Sequence, residues 1–256
     1  MEYITILTGI RPTSNKLHIG HYALLNFIVK FTKEILEKDE KEIILYVYIA
    51  DLHAIIQFED KKKTEILKNL RKNVESIKEE AISHLQKHLW KYKDIKIFAT
   101  IQSKYKNYVL PLKQLIENFI SYADINSIGS IKEAKEIYGK SKNVNIYLPQ
   151  SFYNYPLLQI ADIIIHNPDF VIVGKDQLGN LSIMNKVINK IKMFVPEEYF
   201  NEEISLKQPY TNKAITLAEV KTPEVVYFEN IIPGFDGRKM SKSYGNTLDI
   251  HTPKKE

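Results

Sequence analysis

The stretch ILTGIRPTSNKLHIGHYALLNFIVKF, residues 6–31, decides the predicted fold. An apolar run reaches a turn at residues 9–12, a short polar loop follows, and apolar residues with helical spacing begin near His18. A strand, a tight loop and an amphipathic helix in this order are typical of an α/β unit. His18 and His21 lie three positions apart where the helix is predicted to begin, so both can face the same ligand.

The rest of the chain repeats this alternation of strand and helix. Buried parallel strands are predicted from short runs rich in β-branched and aromatic residues, and helices from apolar spacing of about 3.6 residues. The predicted strands are residues 3–9, 43–50, 95–101 and 169–174, and the predicted helices are residues 21–38, 63–89 and 177–192. We therefore expect an α/β fold with a mostly parallel sheet. Residues 105–150 fit the alternation poorly and are interpreted as an inserted helical segment.

Composition excludes several classes of protein. The 256 residues can form one large or two small domains, and the absence of cysteine excludes disulfides, cysteine-ligated zinc and thiol nucleophiles. No apolar run approaches the roughly 18 residues of a membrane span, and the N-terminus lacks the features of a signal peptide. We expect a cytoplasmic protein without a membrane partner. The net charge of +5 suits a phosphate-rich partner without demonstrating one.

The position of the two histidines suggests an anion site. Ligands of open parallel sheets bind beyond the carboxyl ends of the strands, often at a helix N-terminus. Gly9 and Gly20 would let the backbone approach a ligand, and His18 and His21 could donate ring N–H groups to one phosphate chain. The alternative is that the histidines merely cap the helix.

A second motif lies in PGFDGRKMSKSYGN, residues 233–246. Glycines surround Lys239 and Lys242, whose ammonium groups are strongly hydrated point charges able to follow a moving oxyanion. A solvated turn is the alternative for such a loop. The pentapeptide KMSKS together with an upstream HIGH is, however, far rarer by chance than either motif alone.

The two motifs together resemble the signature of class I aminoacyl-tRNA synthetases, and more narrowly the tryptophan/tyrosine subgroup. The resemblance runs through nearly the whole chain, and chance is an unlikely source for five motifs in order. They are TGIRPTSNKLHIGHY (8–22), IADLHAI (49–55), YPLLQIADI (155–163), DFVIVGKDQ (169–177) and GFDGRKMSKSYGNT (234–247).

The resemblance implies a particular domain organisation. The fold would be a Rossmann-like (HUP-type) parallel sheet with helices on both faces, formed by residues 1–104 and 151–256 as a catalytic domain. Residues 105–150 would be an inserted helical segment that carries the interface of a homodimer. Family members continue beyond the mobile loop with an anticodon-binding helical domain, so we expect either that this chain is truncated or that this domain is absent.

The resemblance also implies an enzyme that activates an amino acid with ATP and transfers it to tRNA. The carboxylate attacks the α-phosphorus and pyrophosphate leaves, with Mg²⁺ carried by the nucleotide and no metal site on the protein. His18, His21, Lys239 and Lys242 would stabilise the developing charge. A further phosphate-binding lysine would be Lys132 or, because the run SIKEAK departs from the family pattern by one residue, Lys135.

The same resemblance assigns two sets of binding residues. The ATP-binding positions would be Arg11, Thr13, His18, Gly20, His21, Gly174, Asp176, Lys239, Met240, Ser241 and Lys242. The amino-acid-binding positions would be Leu7, Gly9, His53, Tyr155, Gln159, Asp162, Val171, Val173 and Gln177. Asp162 lies in an apolar helical run, where a carboxylate is costly unless paired, and it would accept a hydrogen bond from the substrate ring.

The choice between tryptophan and tyrosine depends on a few positions. Tyrosine enzymes generally have Tyr where this chain has Leu7, and Asp or Glu where it has Arg11. Val171 and Val173 would supply apolar walls suited to an indole. The run DQLGN (176–180) instead resembles bacterial tyrosine enzymes. We favour a tryptophan–tRNA ligase whose partners are ATP, L-tryptophan and tRNA(Trp). A tyrosine–tRNA ligase and a catalytically silent paralogue that binds an amino acid or RNA are the alternatives.

Overall fold

The computed structural model describes most of the chain, and every structural statement below concerns the described part. It comprises residues 3–38, 41–56, 60–132, 135, 148, 150–200, 208, 214–229, 233 and 237. The predictions for Lys239, Met240, Ser241 and Lys242 therefore lie outside the described residues.

Five parallel strands form one sheet in the order β3-β2-β1-β4-β5. Their bounds are β1 Tyr3–Ile10, β2 Glu42–Ile49, β3 Ile95–Ile101, β4 Phe170–Gly174 and β5 Glu224–Phe228. The first four strands lie within one residue of their predicted bounds. The fifth, an edge strand of five residues, was not predicted from the sequence.

Helices make up most of the remaining described structure. Their bounds are α1 Ile19–Leu36, α2 Asp51–Ile56, α3 Asp60–Leu89, α4 Lys106–Phe119, α5 Tyr122–Ser127, α6 Gln150–His166, α7 Leu178–Leu181, α8 Met184–Phe194 and α9 Glu197–Tyr199. Two short 3₁₀ helices, Gln102–Tyr105 and Lys175–Gln177, directly follow β3 and β4. None of the described helices is both long enough and apolar enough to span a bilayer.

The helix predicted over residues 177–192 is divided into α7 and α8. The division falls at Ser182, whose hydroxyl donates to the backbone oxygen of Gly179 at 2.9 Å and accepts from the N–H of Gly129 at 3.0 Å. Serine side chains that bond to the backbone in this way compete with helical hydrogen bonds. The apolar periodicity continues through the break, which is why the sequence pattern did not reveal it.

Both faces of the sheet are buried against helices. Alternate residues of β2 belong to two separate cores: Ile43 and Leu45 pack with residues of α1 and α3, whereas Tyr46 and Tyr48 pack with residues of α4, α6 and α8. Parallel strands covered on both faces are characteristic of doubly wound α/β proteins. The predicted Rossmann-like arrangement, with helices on both faces, is confirmed.

The strand order reverses at β1. The chain runs outward from β1 through β2 to β3 and then returns to the other side of β1 for β4 and β5. Ligands of open α/β sheets bind beyond the carboxyl ends of the strands at such a reversal. Gly9, at the end of β1, is exposed at this point, and α1 begins shortly after it.

Candidate active site

His18 and His21 form a self-capped turn at the start of α1. The Nδ1 atom of His18 accepts a hydrogen bond from the N–H of Gly20 at 3.1 Å, and Nδ1 of His21 accepts from the N–H of His18 at 3.2 Å. The two ring centroids are 3.8 Å apart. A ring nitrogen that accepts carries no proton, so each neutral imidazole holds its proton on Nε2. The capping geometry and the role of Nε2–H donor are therefore compatible.

Gly20 allows the His18 ring to lie over the first turn of α1. A Cβ atom at this position would lie 3.0 Å from Nδ1 and Cε1 of His18, closer than most side chains approach. The positive end of the α1 dipole and the two Nε2–H groups lie together at this turn. Such an arrangement is compatible with the predicted anion site, which stays a prediction.

Asp162 of α6 is the centre of a buried hydrogen-bond network. Asp162 as a residue is only 4 % exposed. Oδ1 accepts from the hydroxyl of Tyr48 at 2.7 Å. Oδ2 lies 2.9 Å from Nε2 of His53 and accepts from Nε2 of Gln102 at 2.8 Å. Gln102 also accepts, through Oε1, from the N–H of His53 at 3.2 Å. A buried carboxylate is stabilised by such donors, which offset the cost of its desolvation.

An aromatic stack connects this network to the loop after β1. The guanidinium of Arg11 lies 5.5 Å from the ring centroid of Tyr155, and the His53 ring meets Tyr155 edge-on with centroids 4.4 Å apart. Burial raises the pKa of Tyr155, and the carboxylates of Asp176 and Asp162 act in the same direction while Arg11 opposes them. The fold thus brings five predicted site residues into one electrostatic neighbourhood.

Two buried polar atoms in this neighbourhood have no hydrogen-bond partner among the described residues. They are Nδ1 of His53 and Oε1 of Gln159. Tyr155, Gln159 and Asp162 are spaced four and three residues apart along α6, so they share one helix face. A buried acceptor without a donor is destabilising. A ligand that supplies N–H groups would remove this cost.

The carboxyl end of β4 holds a second polar cluster. Gly174 ends the strand, and a Cβ atom there would lie 2.7 Å from Oδ1 of Asp176. Oδ2 of Asp176 accepts from Nε2 of Gln177 at 2.7 Å, and Oε1 of Gln177 accepts from Asn180 at 3.0 Å. Asp176 itself is exposed. Glycine at position 174 therefore lets this carboxylate fold back against the strand end.

Apolar side chains line the sheet beneath α6. Leu7 of β1 pairs in register with Val171 of β4. Both are buried, as is Val173, and all three belong to the core formed with α6. Apolar side chains of this kind are suited to contact with an aromatic ring.

The candidate lysines of the inserted segment lie in helical backbone after α5, of which residues 129–132 and 135 are described. Lys132 is exposed, while Lys135 is half-buried with its ammonium bonded to Oδ1 of Asn126. This helical segment packs closely on α7, since a Cβ atom at Gly129 would lie 3.1 Å from Cα of Gly179. The phosphate-binding role of either lysine remains a prediction. So does that of Thr13, whose N–H donates to the backbone oxygen of Arg11 at 2.9 Å.

Tyr48 and Gln102 are the network residues that sequence reasoning missed. Tyr48 is the penultimate residue of β2, and Gln102 directly follows β3. A signal was present, because polar side chains at the carboxyl ends of adjacent parallel strands converge on the ligand edge. The apolar context of the run IILYVYIA made Tyr48 indistinguishable from a core residue.

The sheet reversal, the histidine-capped helix and the adjoining buried polar network define a Rossmann-like α/β protein with a candidate ligand site at its switch point. The family model described as tRNA synthetases class I (W and Y) matches residues 1–256. The chain belongs to this family, as the motifs predicted.

Similar proteins include two bacterial tryptophan–tRNA ligases. The Thermotoga maritima protein is 26 % identical over 98 % of this chain and 63 % of its own length. The Streptococcus mutans protein is 31 % identical over 95 % of this chain and 61 % of its own length. The chain thus spans less than two thirds of the length of these relatives.

Solved structures agree on the fold. Tryptophanyl-tRNA synthetase from Campylobacter jejuni superposes with a TM-score of 0.61 at 24 % identity, covering 98 % of this chain and 63 % of that structure. Tyrosyl-tRNA synthetase from Archaeoglobus fulgidus, complexed with L-tyrosine, gives a TM-score of 0.52 at 20 % identity over 99 % of this chain and 62 % of that structure. Both subgroups of the family therefore share this architecture.

Proposed function

We propose that the chain is the catalytic part of a tryptophan–tRNA ligase. It activates L-tryptophan with ATP to tryptophanyl-adenylate and pyrophosphate, and the activated residue is then transferred to tRNA(Trp). The observation that carries this proposal is the position of Asp162, a buried carboxylate held by protein donors on α6, the helix that shares a core with Leu7 and Val171. The names of the bacterial relatives support the choice of amino acid.

The first chemical step needs positioning and charge stabilisation more than acid–base chemistry. The substrate carboxylate is already ionised at neutral pH, so no general base has to create the nucleophile. It attacks the α-phosphorus in line, and charge develops on the leaving pyrophosphate. His18 and His21, each with its proton on Nε2, donate hydrogen bonds to the nucleotide at the N-terminus of α1. Gly9 leaves room for that approach, and Gly20 lets the His18 ring lie over the first turn of α1.

The remaining phosphate contacts are assigned to lysines. Lys239 and Lys242, in the loop outside the described residues, follow the β- and γ-phosphates as they depart, and backbone groups of Met240 and Ser241 accompany them. Lys132, or Lys135 in its place, reaches the same phosphates from the inserted segment. Asp176, exposed at the end of β4, forms a hydrogen bond with the ribose. Because Gly174 has no side chain, the Asp176 carboxylate can lie against the end of the strand.

Magnesium is assigned to the nucleotide. The described residues contain no group of three His, Cys, Asp or Glu side chains arranged to hold a metal ion. Mg²⁺ prefers phosphate oxygens and water to an all-protein cage, so it would arrive bound to ATP and share the charge of the leaving group.

The amino acid is read by α6 and the strands beneath it. The substrate ring lies on the apolar surface of Leu7, Val171 and Val173, and its N–H group donates to Asp162. Tyr155 and Gln177 hold the ammonium and carboxylate groups. The ammonium also supplies the donors that the unpartnered acceptors of Gln159 and His53 require.

Amino-acid-dependent ATP–pyrophosphate exchange tests the proposal directly. L-tryptophan and L-tyrosine are supplied in turn, and exchange with tryptophan but not tyrosine is expected. Exchange with tyrosine alone would make the protein a tyrosine–tRNA ligase of the same family, an assignment for which DQLGN is the supporting motif. Mass spectrometry that detects no aminoacyl-adenylate, in a protein that still binds ATP by calorimetry, would favour the silent paralogue.

Substitutions at the two motifs test the assigned donors. His18→Asn keeps an oxygen acceptor for the cap of α1 but removes the Nε2–H donor, so exchange should fall by about 10²–10³-fold with little loss of stability. Lys242→Ala should cause a loss of the same order. His88→Ala, at an exposed histidine near the end of α3, is the matched control and should leave the rate unchanged. Wild-type rates in His18→Asn would reject the donor role.

The partners assigned to the whole protein are tRNA(Trp) and a second copy of the chain. The inserted segment, residues 105–150, carries the subunit contact in this proposal. Light scattering after size exclusion should give twice the 29.9 kDa of one chain. A monomer across the concentrations used for exchange would reject the dimer.

A further inference from the structure

The hydroxyl of Tyr48 occupies one side of the Asp162 carboxylate. It donates to Oδ1 at 2.7 Å, and the Tyr48 side chain is only 3 % exposed. Tyr48 lies in β2, in register with Gly9 of β1, at the ligand edge of the sheet. Nothing in the motifs of the sequence marks this position as part of the site.

Counting acceptor positions shows how much of Asp162 remains for a ligand. An ionised carboxylate offers about four lone-pair positions, two on each oxygen. Oδ2 is satisfied by His53 and Gln102. Among the described residues, Oδ1 receives a hydrogen bond from Tyr48 alone. One acceptor position of Asp162 is therefore left, on the oxygen that also holds the Tyr48 hydroxyl.

The group beside this position is an acceptor. The Tyr48 proton is committed to Asp162, so its oxygen can only accept from a ligand. A ring N–H can only donate and fits such a site. A phenol O–H donates once but also brings oxygen lone pairs, which would face the lone pairs of the Tyr48 oxygen.

We infer that Tyr48 is a specificity-determining residue that excludes a phenolic substrate by placing its own hydroxyl where the substrate hydroxyl would bind to Asp162. The inference rests on the proposed function, in which Asp162 binds the substrate ring. The hydroxyl that binds Oδ1 of Asp162 thus comes from Tyr48 and not from the substrate. The substrate donates an N–H group to the one acceptor position of Asp162 that remains.

Tyr48→Phe tests this role by removing only the hydroxyl. A tyrosine substrate could then donate its own O–H to Oδ1 of Asp162 in the space vacated. The ratio of kcat/KM for tryptophan to kcat/KM for tyrosine in pyrophosphate exchange should fall about tenfold or more, because single-group discrimination in such pockets is of this order. KM for ATP should stay unchanged.

Tyr46→Phe is the matched control. Tyr46 lies two residues earlier on the same face of β2 and is equally buried, but its hydroxyl is not bonded to Asp162. The tryptophan-to-tyrosine ratio should remain within about twofold of wild type, since only a shared packing effect would move it. An equal fall in both variants, or an unchanged ratio in Tyr48→Phe, would overturn the inference while leaving the proposed function intact.

A measurement on the wild-type protein keeps the inference testable if Tyr48→Phe does not fold. L-phenylalanine and L-tyrosine are compared as competitive inhibitors of tryptophan-dependent exchange. Because the phenol oxygen would face the oxygen of Tyr48, phenylalanine should inhibit at least as strongly as tyrosine. Tyrosine inhibiting about tenfold more strongly would overturn the role of Tyr48. Absence of exchange with both tryptophan and tyrosine as substrates would overturn the proposed function itself.

Discussion

Two buried carboxylates, Asp124 and Asp162, are satisfied in opposite ways. Asp124 of α5 is 5 % exposed, forms ion pairs with Lys186 and, at 2.5 Å, Lys190 of α8, and accepts from the hydroxyl and N–H of Ser121. Asp162 is 4 % exposed, and its partners are two neutral side chains and a histidine.

The difference separates a structural carboxylate from one that is proposed to bind a ligand. The hydrogen bonds of Lys186 and Lys190 hold the pKa of Asp124 well below its ordinary value of 3.8, so it is charged whenever the protein is folded under ordinary conditions. Its charge forms the ion pairs that hold α5 against α8. Asp162 keeps an acceptor position on Oδ1, at the ligand edge of the sheet. Similar burial therefore has a different meaning in the two places.

The largest effect is expected from Asp162→Asn. The amide N–H₂ would meet the donors of Tyr48 or of His53 and Gln102, whichever way it turned, so the network would rearrange. Tryptophan-dependent exchange should fall by about 10²-fold or more, whereas KM for ATP should change little. Steady-state kinetics with each substrate varied in turn provides the measurement. An exchange rate within threefold of wild type would mean that Asp162, like Asp124, has no role in binding the substrate.

Asp124→Asn should act on stability and not on specificity. Breaking a buried ion pair can cost several kcal/mol, but both lysines reach solvent here, so we expect the free energy of unfolding to fall by about 2 kcal/mol. Urea unfolding at neutral pH measures this. The tryptophan-to-tyrosine ratio should be unaffected, and a shift in that ratio would mean that the fastening of α5 also shapes the amino-acid pocket.

Acid should diminish the contribution of Asp124. Its folded pKa is lowered, so its stabilisation is fully present above the unfolded value and is lost progressively as pH falls below about 4. The stability difference between wild type and Asp124→Asn should accordingly be constant near neutrality and narrow in acid. Urea unfolding at several pH values follows the difference. A gap that widens with acid would contradict the ion-pair assignment.

The smallest effect is expected from Glu34→Gln. Glu34 and Lys30 form an i,i+4 pair on α1 at 3.7 Å, with side chains 49 % and 77 % exposed. Water screens such a pair, so the free energy of unfolding should change by less than about 0.5 kcal/mol. The same urea experiment gives the value. A loss comparable to that of Asp124→Asn would mean that burial does not separate the two pairs.

Much of the fold could be predicted because its pattern is local. β1 to β4 are continuous runs of branched and aromatic residues, the type of run that parallel strands buried on both faces require. The break between α7 and α8 could not be predicted in this way. It depends on hydrogen bonds that Ser182 makes with Gly179 and with Gly129, and the latter is 53 residues away along the chain.

In the candidate site, too, residues with local contacts could be predicted and residues with long-range contacts could not. His18, Gly20 and His21 could be assigned because their contacts lie within one turn of helix, where residue spacing alone places them together. Tyr48 and Gln102 could not, since their hydrogen bonds to Asp162 join residues 114 and 60 positions apart. Only packing of the sheet against α6 brings these groups within reach of one carboxylate.

The order of residues along the chain by itself determined the alternation of strand and helix, the histidine turn and the membership of a synthetase family, because each depends on short-range periodicity or on motifs read in sequence. The tertiary structure alone decided which lone pairs of Asp162 are occupied, which acceptors stay unpartnered and which aspartate is fastened by lysines. Those properties depend on distances of about 3 Å between groups far apart in sequence, and such distances are set by how helices pack on the sheet.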